Sequence, residues 1–242
     1  KKKVKVVIFD LKKPLFRKKF FIKSNNLVIE KGDLTNFSSL KKIFNKHKFD
    51  GIFHLGAQTQ VLDAFKKPYD TYQTNLIGTL NILELLRKKE INIPLLYSSS
   101  DKAYGELKRD YYYETDNLNG VYPYDASKSV SDIICQSYSK TYNSKIGIVR
   151  SANIYGECDF NFNRIVPETI ISILKNKTLK IRTSGKQKRD YVYVSDICRA
   201  YYKIFIKLQK SKNDLIIYNT ASKDNLSALQ LIKRIYKIMD AK

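Results

Sequence analysis

The chain has 242 residues, with 45 Lys+Arg against 23 Asp+Glu, a formal net charge of +22, three Cys and no Trp. At 43% hydrophobic it can bury a sizeable core, which excludes a disordered basic tail, and its length fits one large domain or one large and one small. No run of about 18 apolar residues occurs, so no transmembrane helix is expected. Lys1–Leu11 has a basic start but an apolar run broken by Asp10, unlike a secretory signal peptide.

Cys135, Cys158 and Cys198 are odd in number and far apart, a pattern that points to a reducing compartment and a cytoplasmic location. His47 and His54 have no Cys or His at ligand spacing, so no metal site is expected. The positive charge suits phosphate groups. Yet only nine of the basic residues are Arg, they are scattered, and no helix-turn-helix, zinc-finger or RNP pattern is present. The reading is a lysine-rich solvated surface whose field favours a small anionic ligand such as a nucleotide, with neither nucleic acid nor membrane as partner.

In chain order, apolar runs alternate with amphipathic ones. Val4–Phe9, Leu27–Ile29, Ile52–Leu55, Ile93–Tyr97 and Lys145–Val149 are short and rich in Val, Ile and Leu, as strands buried on both faces are. Between them helices are predicted over Phe37–His47, behind a Thr35/Ser38 cap region, over Thr71–Lys89 and over Tyr124–Tyr142. This repetition is the signature of an α/β fold with a doubly wound parallel sheet.

After Tyr155-Gly156 the rhythm changes. A loop, Gly156–Asn163, leads to a helix over Arg164–Asn176, short segments at Leu179–Arg182 and Tyr191–Val194, a helix near Ser195–Leu208, a strand at Leu215–Asn219 and a last helix from Leu226. The pattern predicts a smaller domain interleaved with the first: residues 1–155 with 190–220 returning to them, and 156–189 with 221–242. A cleft is expected at the carboxyl ends of the strands.

Asp10 ends the first strand, where a Rossmann fold places the carboxylate that binds the adenosine ribose, and an acid there favours NAD over NADP. A Gly-rich turn belongs about 20 residues before such an acid. Only nine residues precede Asp10, no G-x-G-x-x-G occurs and Lys1 is not an initiator Met. A fragment lacking the first strand, the phosphate-binding loop and the first helix is therefore expected.

Tyr124-x-x-x-Lys128 lies on a predicted helix, where i, i+4 spacing puts both side chains on one face and an ammonium can lower the phenol pKa. Among 18 Tyr the same spacing also occurs at Tyr104/Lys108, so the bare motif discriminates little. Context separates the two. Upstream of Tyr124, the strand Ile93–Tyr97 runs into Ser98-Ser99-Ser100-Asp101-Lys102-Ala103-Tyr104-Gly105, which places hydroxyls, a carboxylate and an amine at a strand's carboxyl end, where α/β sheets carry their chemistry.

Taken in order, Asp10, Gly32-Asp33-Leu34, His54-Leu55-Gly56-Ala57-Gln58, Asn75-Leu76-Ile77-Gly78-Thr79, Tyr124–Lys128 and Arg150-Ser151-Ala152-Asn153 resemble the extended short-chain dehydrogenase/reductase family, in its NAD-dependent epimerase/dehydratase group that modifies nucleotide sugars. Arg164-Ile165-Val166-Pro167 and Gly185-Lys186-Gln187-Lys188-Arg189-Asp190-Tyr191 continue the resemblance almost to the end of the chain, where the family's substrate domain normally goes on. Ser100-Asp101-Lys102 resembles the triplet of 4,6-dehydratases more than that of 4-epimerases, and its Lys, with Asn119–Tyr124 and Cys158-Asp159-Phe160, resembles the branch acting on CDP-glucose. Arg189-Asp190-Tyr191 matches the wider family instead.

The resemblance implies C4 oxidation, water elimination and C6 reduction to a 4-keto-6-deoxy sugar nucleotide, feeding deoxysugars into surface polysaccharide, with NAD as cofactor. Tyr124, helped by Lys128 and near Ser100, takes the 4-hydroxyl proton. Asp101 protonates the departing 6-hydroxyl, and Lys102 acts at C5 as base or as stabiliser of the enolate. Asp10, Asp33, Leu34, Gly56, Ala57, Gln58, Asn75 and Ser98, with Tyr124 and Lys128, would border the cofactor. Asn153, Arg164 and Arg189 would hold the substrate's diphosphate or nucleotide. Dimerisation through the helices Thr71–Lys89 and Tyr124–Tyr142 is a family expectation. A 4-epimerase and a non-catalytic fragment are the alternative readings.

Overall fold

The computed structural model describes residues 4–11, 25–106, 111–181, 184–222 and 224–241; Lys108 and Arg182 lie outside them. The chain divides into two compact units, residues 1–150 with 202–219 and residues 151–201 with 220–242.

In the first unit, β1 (Val6–Asp10) and β2 (Leu27–Lys31) pair in parallel, Val6 opposite Leu27 and Asp10 opposite Lys31. Both strands therefore end together, and Gly32 N donates to Asp10 O at 2.9 Å. Helix α1 (Phe37–Lys46) begins behind Asn36, whose side chain accepts from Ser39 N. The cap expected around Thr35/Ser38 is thus Asn36. Thr35 N instead donates to Asp33 Oδ1 at 2.8 Å, closing a turn ahead of the helix.

A four-stranded sheet in the order β3-β4-β5-β8 follows, from β3 (Ile52–His54), β4 (Leu95–Ser100), β5 (Ile146–Ser151) and β8 (Leu215–Thr220). β3 runs parallel to β4 with His54 opposite Tyr97. Between β3 and β4 lie α2 (Val61–Lys66), α3 (Pro68–Tyr72), a π-helical turn (Gln73–Ile77) and α4 (Gly78–Lys88). The helix predicted over Thr71–Lys89 therefore starts earlier, at Pro68, and contains a wide turn; α2 is an addition. After β4 a 3₁₀ turn (Asp101–Tyr104) leads towards α5 (Pro123–Tyr142).

The core forms because α4 presents Ile82, Leu83, Leu85 and Leu86 at helical spacing to the apolar strands. They pack with Leu95, Tyr97, Ile146 and Ile148, and Leu40 of α1 joins them. These strand residues are fully buried, which explains why Leu95–Tyr97 of β4 and Ile146–Val149 of β5 read as apolar segments.

The second unit holds a three-stranded sheet, β6 (Asn153–Tyr155), β7 (Lys188–Tyr193) and β9 (Asn225–Ser227), in which β6 pairs parallel and β9 antiparallel to β7. Leu226, expected to open the last helix, is a strand residue opposite Arg189. Helix α8 (Ala228–Ile238) starts two residues later behind a reciprocal Ser227/Gln230 capping box. Helix α6 (Ile165–Leu174) is shorter than predicted, and Leu179–Ile181 is not a strand. Helix α7 (Val194–Lys210) runs from the second unit into the first, with Ile197 and Tyr201 buried in its second-unit part and Ile204 and Leu208 in its first-unit part.

Among the described residues no helix is long and apolar enough to cross a membrane, and no cluster of three or more His, Cys, Asp or Glu is placed to hold a metal ion. Cys135 is a buried free thiol; Cys158 and Cys198 are exposed ones.

Candidate active site

The carboxyl ends of β1, β2, β3 and β4 carry most of the residues singled out in the sequence. Asp10 is exposed at the end of β1. After β2, Asp33 closes its own turn, so the carboxylate has a local structural use. Leu34 lies half-buried against Gly56. A Cβ on Gly56 would sit 2.5 Å from Leu34 Cδ1, the movable end of that side chain, so Leu34 packs directly over the glycine after β3.

Asn75, 1% exposed in the π turn, is the clamp of this region. Its Oδ1 accepts from Gln58 N at 2.7 Å, and its Nδ2 donates to Gln58 O at 3.0 Å and to Ser127 Oγ at 2.8 Å. Ser127 lies between Tyr124 and Lys128 on α5. One buried amide thus ties the segment after β3 to the helix carrying the Tyr/Lys pair. The Asn75 carbonyl also accepts from Thr79 Oγ1 and Ser131 Oγ. Because the Thr79 hydroxyl proton is committed there, His54 Nε2, 2.8 Å away, is the donor in its bond to Thr79. Burial, with the Lys128 charge adding to it, holds His54 down to about 3, so its ring is neutral at pH 7.

Lys128 is 4% exposed. Its Nζ donates to Ser98 O at 2.8 Å and lies 5.1 Å from the centre of the Tyr97 ring. Burial pushes its ammonium down to about 8 against the raising pull of Cys135 and Asp132. Tyr124 lies one turn before it and is half-buried. Lys128 therefore joins the Tyr/Lys helix directly to the end of β4.

At that end Ser100 caps the 3₁₀ turn, accepting from Lys102 N and donating to Asp101 Oδ1 at 3.0 Å. Asp101 and Lys102 are half-buried. The turn stops at Gly105, whose φ is +71° and whose missing Cβ would meet Asn119 O at 2.1 Å. Asn119 N donates to Ala103 O, and Ser129 Oγ of α5 donates to the same carbonyl at 2.7 Å while accepting from Gly120 N. The Ser100-Asp101-Lys102 triplet and the Tyr124/Lys128 pair are thus held within one hydrogen-bonded frame.

The other Tyr-x-x-x-Lys tyrosine has a different fate. Tyr104 is fully buried, its hydroxyl donates to Asn219 Oδ1 at 2.7 Å and accepts from Arg150 Nη1 at 2.8 Å, and its ring stacks on Tyr112. Its proton is committed within the protein.

Asn153, Arg164 and Arg189 belong to the second unit. Asn153 is exposed on β6 opposite Tyr191, and its Nδ2 donates to Asp190 O at 3.4 Å. Arg164 stands at the N-cap of α6 with Nη1 3.3 Å from Asp159 Oδ2, so part of its fork is engaged. Arg189 is half-buried on β7. In Arg189-Asp190-Tyr191 the acid serves the fold, since Asp190 Oδ1 accepts from both Ser222 N and Ser222 Oγ.

Sequence reasoning placed Ser99 at the end of its strand without a partner and passed over Ser127, Ser129 and Asp132; all four are buried and bonded to the frame. For Asp132 a signal existed: it follows Lys128 by four residues, on the same helical face. Arg150 entered the sequence reading only as the start of a motif, although a charge inside an apolar strand already demands a partner.

Comparisons with known proteins bear on the family and the fold. A dTDP-D-glucose 4,6-dehydratase of Dictyostelium discoideum is 30% identical over 228 residues, covering 90% of this chain and 51% of the relative; a dTDP-glucose 4,6-dehydratase of Haemophilus influenzae is 28% identical, covering 88% and 64%. The chain thus spans between half and two-thirds of these curated relatives. Among solved structures, dTDP-glucose 4,6-dehydratase from Bacillus anthracis in complex with NAD superposes with a TM-score of 0.85 at 26% identity, covering 98% of this chain and 73% of that one. A UDP-glucose 4-epimerase from Thermotoga maritima gives 0.84 at 24% identity over 98% and 75%, a likeness of fold. The profile of the NAD dependent epimerase/dehydratase family matches residues 4–221, and the chain belongs to that family.

Proposed function

We propose that the chain carries the catalytic centre of a nucleotide-sugar 4,6-dehydratase. The observation that carries this reading is the Ser100-Asp101-Lys102 turn, fixed at the end of β4 and joined through Lys128 Nζ to the helix of Tyr124. An acid directly after the hydroxyl supplies the proton donor that loss of a 6-hydroxyl requires and that exchange of configuration at C4 does not.

The residues present fit NAD. Gln58 Oε1 is buried beside the Asn75 clamp with no hydrogen-bond partner, an acceptor left for a bound group. Asp10 stands at the strand end where an adenosine ribose is bound in Rossmann folds. Asp10, Asp33, Leu34, Gly56, Ala57, Gln58, Asn75 and Ser98 would hold the cofactor, and the first unit is assigned to it. Bound there, NAD would supply the hydride-carrying chemistry that oxidation at C4 and reduction at C6 require.

The chain's own groups handle protons and position. Tyr124 removes the proton of the sugar 4-hydroxyl, with the Lys128 charge favouring its phenolate and Ser100 steadying the oxygen. The 4-ketone acidifies C5. Asp101 protonates the 6-hydroxyl as it leaves as water, Lys102 or a water it holds takes the C5 proton, and a proton returns to C5 when C6 receives hydride. Asn153, Arg164 and Arg189 of the second unit hold the nucleotide diphosphate, a guanidinium being suited to paired phosphate oxygens.

The test is to incubate the full chain with NAD and, separately, CDP-glucose and dTDP-glucose. The first is chosen for the Ser100-Asp101-Lys102 triplet, the second for the names of the curated relatives. The expected product has lost one water and carries a methyl group at C6 and a ketone at C4. A product of unchanged mass with C4 inverted makes the protein a 4-epimerase, and no conversion of either substrate overturns both readings.

A further inference from the structure

Arg150 lies within β5, every residue of which is buried, and is itself 2% exposed. Its Nε donates to Asp132 Oδ2 and its Nη2 to Asp132 Oδ1, both at 2.9 Å; its Nη1 donates to Tyr104 OH at 2.8 Å and to Glu114 O at 2.9 Å. Asp132 also accepts from Ser99 Oγ at 2.7 Å and from Gln136 Nε2 at 2.8 Å. Four of the five guanidinium N–H groups are not free for an anion in this arrangement, and the carboxylate takes four donors.

A buried ion pair gains little stability over an apolar pair of similar volume, so stability is a weak reason for this network. Its end points supply a better one. Ser99 and Tyr104 bracket Ser100-Asp101-Lys102, and Asp132 stands one helical turn beyond Lys128, which holds Ser98 O. We propose that Arg150 and Asp132 are positioning residues, a closed brace that sets the Ser100-Asp101-Lys102 turn in register with Tyr124 and Lys128. The inference rests on the dehydratase reading for its consequence in catalysis, and on the hydrogen bonds alone for its consequence in structure.

Two sets of measurements on the full chain test it. Ser99→Ala and Tyr104→Phe each delete one hydroxyl at an end of the brace and leave the ion pair whole; Arg150→Met removes the brace. Kinetically, kcat should fall about 10-fold for each hydroxyl deletion and about 100-fold for Arg150→Met, with KM for the nucleotide sugar within about twofold, because outer partners set the geometry of reacting groups more than binding. Ser99→Thr, which keeps the hydroxyl, should retain the original kcat. Independently of substrate, amide hydrogen exchange across residues 98–104 should accelerate in Ser99→Ala and Tyr104→Phe while α4 keeps its protection.

An unchanged kcat, or a loss appearing in KM with kcat preserved, overturns the proposal, as does unchanged exchange in the turn. If Arg150→Met fails to fold, the two hydroxyl deletions decide. If the unsubstituted protein converts no nucleotide sugar, the dehydratase reading has failed, and the exchange measurement alone then supports or overturns the brace.

Discussion

Helices α4 and α5 belong to the same unit and bury faces of opposite character. α4 buries Ile82, Leu83, Leu85 and Leu86 behind Gly78 and Thr79, whereas α5 buries Asp125, Ser127, Lys128, Ser129, Ser131, Asp132, Cys135 and Ser139. An apolar stripe gains its stability from area removed from water, while a polar face must satisfy each group individually or lose several kcal/mol. On α5, Ser127, Lys128, Ser129 and Asp132 do so through Asn75, Ser98, Ala103, Ser99 and Arg150, while Asp125 Oδ1 accepts no hydrogen bond. The difference shows where the molecule concentrates its polar pairing: on the helix that carries the Tyr124/Lys128 pair.

The strongest way to separate the two helices is to remove the reacting group and leave the packing. Tyr124→Phe deletes one oxygen from a half-buried position. Loss of a positioned base should lower kcat by about 10³-fold, with the melting temperature little changed. Steady-state kinetics beside a thermal melt checks this, and a fall in stability with kcat retained would place Tyr124 in the fold alone. The converse variant is Leu83→Ala in α4. Leu83 is 1% exposed in the main core, so truncation should cost about 3 kcal/mol of unfolding free energy, and folded protein should retain its kcat. Chemical denaturation measures the first and kinetics the second.

Asp101→Asn sharpens the comparison within the site. It keeps size and polarity and removes the acid, so elimination should slow by about 100-fold while C4 oxidation continues. Absorbance of reduced nicotinamide should then build up on adding substrate. Unchanged product formation removes Asp101 from the mechanism.

What could be read from the sequence follows the same division. The α4 core and the strands β4 and β5 were legible because apolar periodicity reports burial directly, and the Ser98–Lys102 cluster was legible because a strand's end is where such groups act. The braces were not legible, because Ser99 meets Asp132 33 residues later and Asn75 meets Ser127 52 residues later, pairings that only the folded chain creates. Short elements escaped for a different reason. β9 has three residues and α2 six, too few for a period to emerge, and Leu226 read as the start of a helix because the capping box that begins α8 lies one residue beyond it. Asp190 and Asp33 show how a motif's acid serves a turn or loop, which spacing alone does not reveal.

The smallest expected effect is a dependence on pH that α5 has and α4 lacks. Burial brings Lys128 down to about 8, opposed by Cys135 and Asp132. Below pH 8 the side chain is charged in both folded and unfolded protein. Between pH 8 and the ordinary lysine range near 10.5, the unfolded chain keeps a proton that the folded one has released. The Lys128 contribution to stability therefore rises with pH in that window, by at most about 1.4 kcal/mol per unit. Activity should move the other way, since the charge that favours the Tyr124 phenolate disappears as Lys128 deprotonates, and kcat/KM should fall up to about tenfold per unit above pH 8. Asp132→Asn removes one of the groups holding that charge in place, so the alkaline fall should begin at lower pH. Lys128→Met should abolish the Lys128 part of both trends, while Leu83→Ala should leave them intact. A Lys128→Met profile with the original alkaline limb would assign that limb to another group and leave Lys128 as the tether of Ser98 alone.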